Sequence, residues 1–539
     1  MGASADSPSL AVDATRDGRP AASPDGGRTG PTGLWSPAYR SLTSGLVLTV
    51  TLVAFEALAV VTILPIVVGD LGDLALYGWI TSAFFLGTVI GIVVAGPATD
   101  RGGPVRPFVV GLSLFAIGLV VGGLAPSMYV LVVGRLVQGL GAGATPAVAY
   151  ASIGRSLPES LRPKMFATLS TAWVVPGLGG PALSALVAER IGWRAVFLGL
   201  LPLVAVAGLV AVRALRRLGP PESTHSATNA ADQHRAGGLD TGQNDNADRN
   251  RDADRNRDAD PNDTGQNRDA DRDTVASSEA GTVGLPSAQP PFAAAVRIAA
   301  GAGLLLFGIT TRSPLGVLPV VAGIALGLRP LMRLLPPGTL RARAGVPSAV
   351  LARGLLTFAF FGADAFVPLA FTSVRHTSTA VASIAVTSAT MTWTSGSWVQ
   401  ARLATRVTSR RLVSSGLTFV TVGVTLLALG LDGAVPIPAA IAAWGLAGFG
   451  IGIAYAPLSL VVLAAAPAGR QGVASTALQL SDNLGTALGA GVSGVAVAAG
   501  HAARAGPAVG IATAFGLAAA IGLAGLLVAA RIPATTVPR

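Results

Sequence analysis

Charged residues are scarce inside the otherwise apolar stretches, and four stand out: Glu56, Arg135, Asp364 and Asp482. A charge at the centre of a lipid bilayer costs about 3 kcal/mol or more, so a membrane chain that keeps one there is expected to use it. A carboxylate in a weakly polar pocket can take and release protons as the pocket alternately wets and closes, which is the chemistry of proton coupling. The bland alternative is a buried ion pair, Glu56 with Arg135 for example, that merely holds helices together. Near Asp482, the residues Ser475, Gln479, Asp482 and Thr486 fall at helical spacing on one stripe, with Asn483 beside it. Such a stripe either lines a wet path or supplies interhelical hydrogen bonds of about 0.6 kcal/mol each. Gly139, Gly141 and Gly143, and later Gly448, Gly450 and Gly452, suit close packing of helix backbones.

Long apolar runs must position these residues. The chain has 539 residues, 51% hydrophobic and only 12% charged, which makes lipid the expected solvent rather than water. Runs of about 20 residues recur from Leu46 to Ala530, each long enough to cross about 30 Å of hydrocarbon as a helix. They are apolar on every face, whereas strands of a membrane barrel would alternate. Spans are predicted near 46–68, 78–98, 107–125, 128–152, 165–188 and 195–215, then a less regular pair near 296–311 and 314–332. Six more follow near 348–373, 379–400, 411–430, 437–465, 471–499 and 507–531. The expected fold class is therefore an all-α integral membrane protein of two six-helix bundles plus an extra helix pair, with twelve or fourteen spans.

The domain reading assigns 1–43 to a disordered tail, with no apolar core for a cleaved signal peptide. An N-terminal bundle follows over 44–217, a low-complexity linker over 218–291 and the additional pair over 292–336. A C-terminal bundle occupies 345–531, before a tail over 532–539. In the linker "RNRDAD" occurs twice in tandem, at Arg249–Asp254 and Arg255–Asp260; near-balanced Arg and Asp leave no apolar surface to offset chain entropy. Short loops assigned to one side carry seventeen Lys and Arg residues, from Arg101 to Arg470, against five on the other: Arg190, Arg194, Arg312, Arg375 and Arg504. The positive-inside rule then puts both termini and the linker in the cytoplasm. The net charge of +11 reflects those loops rather than a nucleic-acid patch.

Four stretches resemble the major facilitator superfamily and, within it, the drug:proton antiporters with fourteen spans. "FEALAVVTILPIVVGDLG" is similar to the first-span signature of that group, with Glu56 standing where an acid, usually Asp, precedes the Leu-Pro by eight residues. "GPATDRGGPVR" resembles the superfamily's cytoplasmic loop signature through Gly96, Asp100, Arg101, Gly103 and Arg106, with Pro104 in place of a basic residue. An acid at a helix end beside arginines can latch one conformer through charge-assisted bonds. "GRLVQGLGAGA" is similar to the signature whose arginine, here Arg135, is linked to proton coupling, with Gln138 one turn on. "PGLGGPALSA" resembles the antiporter signature through Gly177, Gly180 and Pro181, a helix bend at the cavity; Ser184-Ala185 replaces the family's Gly-Gly. The resemblance implies alternating access by two rocking bundles, with a proton on Glu56, Asp364 or Asp482 exchanged for an outward-moving lipophilic or cationic compound.

No span carries His or Cys, and no H-E-x-x-H, G-x-S-x-G or P-loop signature appears, so an enzyme or ATP-driven pump is not the reading. A proton-coupled importer of a small metabolite is the alternative, and a non-transporting sensor a remote one. No cofactor or metal is expected beyond the proton gradient as energy source. Expected partners are the lipid bilayer, a small-molecule substrate and protons, without nucleic acid. A monomer in the cell membrane, crossing it many times, is the expected state.

Overall fold

The computed structural model describes residues 33–158, 161–172, 174–217, 292–311, 313–466, 471–503 and 506–536. The tail before residue 33 and the repeats of the 218–291 linker, for which disorder is expected, lie outside the described residues. Helices account for the architecture, and no strand occurs among the described residues. The first lobe holds α1 (Arg40–Leu71), α2 (Tyr77–Gly102), α3 (Val105–Gly123), α4 (Met128–Ser156), α5 (Arg162–Thr171), α6 (Val174–Arg190), α7 (Trp193–Leu198) and α8 (Leu200–Arg216). A hairpin of α9 (Phe292–Thr310) and α10 (Val317–Leu334) follows. The second lobe holds α11 (Val346–Asp364), α12 (Thr379–Leu403), α13 (Ser409–Leu429), α14 (Ile437–Ala464), α15 (Gln471–Ala502) and α16 (Pro507–Ala529).

Among the described residues, twelve helices are long and apolar enough to cross a membrane. The hairpin that looks irregular in sequence supplies two of them. Two expected spans are not among the twelve. One, near 165–188, is divided into α5 and α6, with Ala172 in a turn; the other is α12, whose many Ser and Thr residues lower its hydropathy. The second part of the divided span, α6, packs on α12 at the boundary between the lobes. Bundle edges shift slightly from expectation. Residues 33–39 fold onto the start of α1, where Thr43 Oγ1 donates to Leu34 O at 3.1 Å, and residues 532–535 bond back to α13 through Arg410 and Ser409. His501 falls on the last turn of α15, beyond the predicted end at 499.

Local chemistry explains the element ends. Ser127 and Ser378 accept from Val130 N and Val381 N to cap α4 and α12. Gly103, at φ +78°, makes the left-handed turn that ends α2 and starts α3. Inside the spans, hydroxyls return to the carbonyl four residues earlier, as Thr88 does to Phe84 O at 2.9 Å and Thr145 to Gly141 O at 3.0 Å, so that these donors do not face hydrocarbon unbonded.

Glycines set the helix spacing in both lobes by the same pattern. Gly139 and Gly143 lie against the α2 backbone at Phe84 and Thr88, while Gly141 faces Gly111 and Phe115 of α3. In the second lobe Gly448 and Gly452 lie against α12 at Ala389 and Trp393, and Gly450 faces Gly416 and Val420 of α13. A side chain at any of these positions would overlap neighbouring backbone. The packing role expected of both triplets is what they perform, and α4 and α14 are the matching central helices of two structural repeats.

The lobes meet along a seam formed by α2 with α15 and α6 with α12. Towards the end where α1 leads into α2 the seam is closed. Gly78 abuts Gly494, Ser82 Oγ donates to Ala487 O at 2.7 Å, and the Tyr77 and Phe366 rings stand 5.0 Å apart. The hairpin straddles this closure: α9 places Leu306 against Gly491 of α15 and lets Thr310 accept from Trp79 Nε1 of α2 at 3.3 Å. Nearer the other end of α2, a Cβ added at Gly96 would meet nothing within 4 Å.

Candidate functional site

Within the first lobe, α1 and α4 bring Glu56 and Arg135 together, both buried. Arg135 Nη1 donates to Glu56 Oε1, and also to Gln138 Oε1 at 2.7 Å. Arg135 Nε reaches Ile80 O of α2 at 3.3 Å, and the guanidinium lies 4.2 Å from the centre of the Phe84 ring. The three residues singled out from two motifs thus form one cluster, and the ion pair foreseen as the alternative for Glu56 is present. The cluster is not saturated: Glu56 Oε2 and Gln138 Nε2 are buried without a hydrogen-bond partner. A buried polar atom without a partner is costly in a low-dielectric interior, so the cluster has room for a further hydrogen-bonding group.

The second lobe carries its own pair. Asp482 of α15 accepts from Arg353 Nε of α11 at 2.8 Å and from Tyr455 Oη of α14 at 2.9 Å. Arg353 Nη1 also donates to Tyr455 O at 2.8 Å and to Ser459 Oγ at 3.3 Å. Arg353 and Tyr455 are not among the sequence candidates. Arg353 lies one turn inside the predicted span 348–373, and Tyr455 carries no charge to mark it. On the stripe around Asp482, Gln479 donates to Ser475 Oγ at 3.2 Å and Asn483 to Gln479 O at 2.7 Å, so both are held within α15. Ser481 reaches Val350 O of α11 at 2.7 Å, so bonds from this stretch to a neighbouring helix come from Asp482 and Ser481.

Asp364, at the end of α11, is 7% exposed and stands apart from both pairs. Gly177 packs on Thr390 of α12 across the seam, and Gly180 faces Phe55 of α1. Pro181 sits inside continuous α6, and the interruption of this span falls earlier, at Ala172. Of the loop residues, Arg101 and Arg106 are exposed, Gly96 is half-buried, and Gly103 is the buried turn residue; the side chain of Asp100 lies outside the described residues.

Between the two pairs runs a chain of half-buried aromatic rings that sequence patterns do not single out. Phe85 of the first lobe lies 6.3 Å from Phe361 of the second, Phe361 6.1 Å from Trp393, and Trp393 5.5 Å from Tyr455. Their spacing in sequence follows no single period because they come from four different helices.

The family model described as Major Facilitator Superfamily matches residues 46–353, more than half of the chain. A protein of Mycobacterium tuberculosis named "Probable multidrug-efflux transporter" is 34% identical over 169 residues, which cover 31% of this chain and 36% of that protein. "Multidrug resistance protein 3" of Bacillus subtilis is 30% identical over 169 residues, or 31% of this chain and 33% of that one. The chain thus spans about a third of the length of these curated relatives. A solved D-xylose-proton symporter shares the fold, with a TM-score of 0.58 at 14% identity, covering 92% of this chain and 99% of that chain. Two lobes around a seam, an ion pair in each, and a family match running from the first span into the second lobe lead to one assignment: the chain belongs to the Major Facilitator Superfamily.

Proposed function

We propose that the protein is a proton-coupled exporter of small lipophilic or cationic compounds, working by alternating access in the cell membrane. The observation that carries this reading is the aromatic chain Phe85–Phe361–Trp393–Tyr455 across the seam, in which Phe361 shares α11 with Asp364 and Tyr455 donates to Asp482. Flat apolar faces accept many lipophilic ring systems with little demand on shape, and they attract a cation by about 0.5–2 kcal/mol each. The curated relatives carry efflux names, which agrees with outward movement of such compounds.

Arginine-rich loops lie at the end opposite the closed seam, and the positive-inside rule makes that end cytoplasmic. The conformation described is then shut outwards and able to receive cargo from the cell. Exchange requires the lobes to rock so that the seam opens outwards, with a proton entering as cargo leaves. Trp393→Ala tests the binding surface. Affinity for a fluorescent cationic dye, titrated on purified protein, should fall about tenfold, the equivalent of about 1.4 kcal/mol, with melting little changed. An unchanged affinity would remove the aromatic chain from the binding site.

A further inference from the structure

Glu56, Asp364 and Asp482 all lie within spans, and the first and last are neutralised by arginine. Asp364 is the exception. It has no hydrogen bond or ion pair among the described residues, and burial acts on its carboxyl with no neighbouring charge to offset it. An ionised carboxylate so placed loses hydration worth several kcal/mol with nothing in return.

Across the seam stands Tyr77, the first residue of α2, fully buried, its hydroxyl likewise without a partner. Tyr77 packs its ring on Phe366, two residues beyond Asp364, with the ring centres 5.0 Å apart. Other titratable groups on the elements around α11 are engaged or remote. Asp482 and Tyr455 are bound with Arg353. Arg375 donates to the carbonyls of Gly430, Asp432 and Val435, and Arg410 donates to Ile532 O. Arg411 and His501 are exposed, and α16 carries no titratable side chain.

We propose that Asp364 is the residue whose protonation closes the seam, and that Tyr77 on the opposite lobe is the group its charge acts on. This rests on the proton-coupled reading above and assigns the closing step to one acid. With the seam open, Asp364 is wet and ionised. A proton from water on that side neutralises the carboxylate, and α2 with Tyr77 can then close over it without burying a charge. For net exchange the proton leaves Asp364 towards the cytoplasmic side while the seam is shut, and reopening then rehydrates an ionised carboxylate.

The chain contains no cysteine, so spin labels can be placed solely at Asp73→Cys and His376→Cys, exposed loop positions of the two lobes at the closed end. In proteoliposomes, the labelled protein should shift from short to long inter-label distances as the pH is raised. Asp364→Asn should stay at the short distance at every pH, and Asp364→Glu should restore the shift. Tyr77→Phe should move its midpoint. A wild-type response retained in Asp364→Asn, or a midpoint unmoved in Tyr77→Phe, would overturn the assignment. Should the seam respond to pH through Asp364 while no dye is transported, this lock stands and the export reading falls. Dye export against a gradient by a protein whose seam ignores pH would do the reverse, sparing export and sinking the lock.

Discussion

At Glu56 a bracing role and the proposed coupling role can be separated by experiment. Replacing it by Gln leaves Arg135 as an uncompensated buried cation, which should cost about 3–5 kcal/mol. The double variant Glu56→Gln/Arg135→Gln removes both charges and should regain most of that stability, read as melting temperature in detergent, while transport stays lost. Full transport by the double variant would reduce the pair to a brace. Residue type alone makes Glu56, Arg135, Asp364 and Asp482 conspicuous, because charge inside an apolar run is rare and costly. The pairing of Asp482 with Arg353 is not legible in the same way. The two are 129 positions apart, and helical periodicity reports which face a residue occupies but not which helix lies opposite. Tyr77 and Trp393 escape notice for the opposite reason, since an aromatic ring in a span looks like ordinary apolar filling until its neighbours are known.

At the scale of elements, glycine placement decides which helices can touch. Gly139→Leu or Gly448→Leu would drive a side chain into the backbone of α2 or α12, and a cost of about 1–3 kcal/mol or more is expected from overpacking. Size-exclusion profiles after solubilisation should show lost monodisperse protein for both. Gly516→Leu, with no atom within 4 Å of its added Cβ, should behave as wild type. Span positions are readable to within a few residues because length and hydropathy are set by the bilayer itself. The break at Ala172 is not readable: the glycines and Pro181 draw attention one to two turns further on, and where the helix yields depends on its packing between the lobes. The hairpin of α9 and α10 is visible as two apolar runs, but its seat over the α2–α15 seam is a tertiary fact with no sequence signature.

For the whole molecule, orientation follows from the loop charges and is left open by helix packing. A reporter fused at Gly430, in the loop after α13, should be active outside the cell, and one fused at Gly281 in the linker should be active inside. An external signal from the linker would invert the cytoplasmic assignment of the arginine-rich end and, with it, the side on which the seam is shut. Two-fold repetition of the lobes, each with its glycine triplet and its ion pair, supports a rocking motion about a fixed central path. What the path carries is legible only as a chemical class, because the proposed binding surface is built from a few rings and acids contributed by several helices.

Proton-driven dye movement in inverted membrane vesicles, comparing the wild-type protein with Glu56→Gln and Asp364→Asn, tests export most directly. A lipophilic cationic dye should accumulate in acid-loaded vesicles, collapse of the proton gradient should abolish accumulation, and both variants should lose it. Accumulation that survives collapse of the gradient, or no accumulation by the wild-type protein, would contradict proton-coupled export.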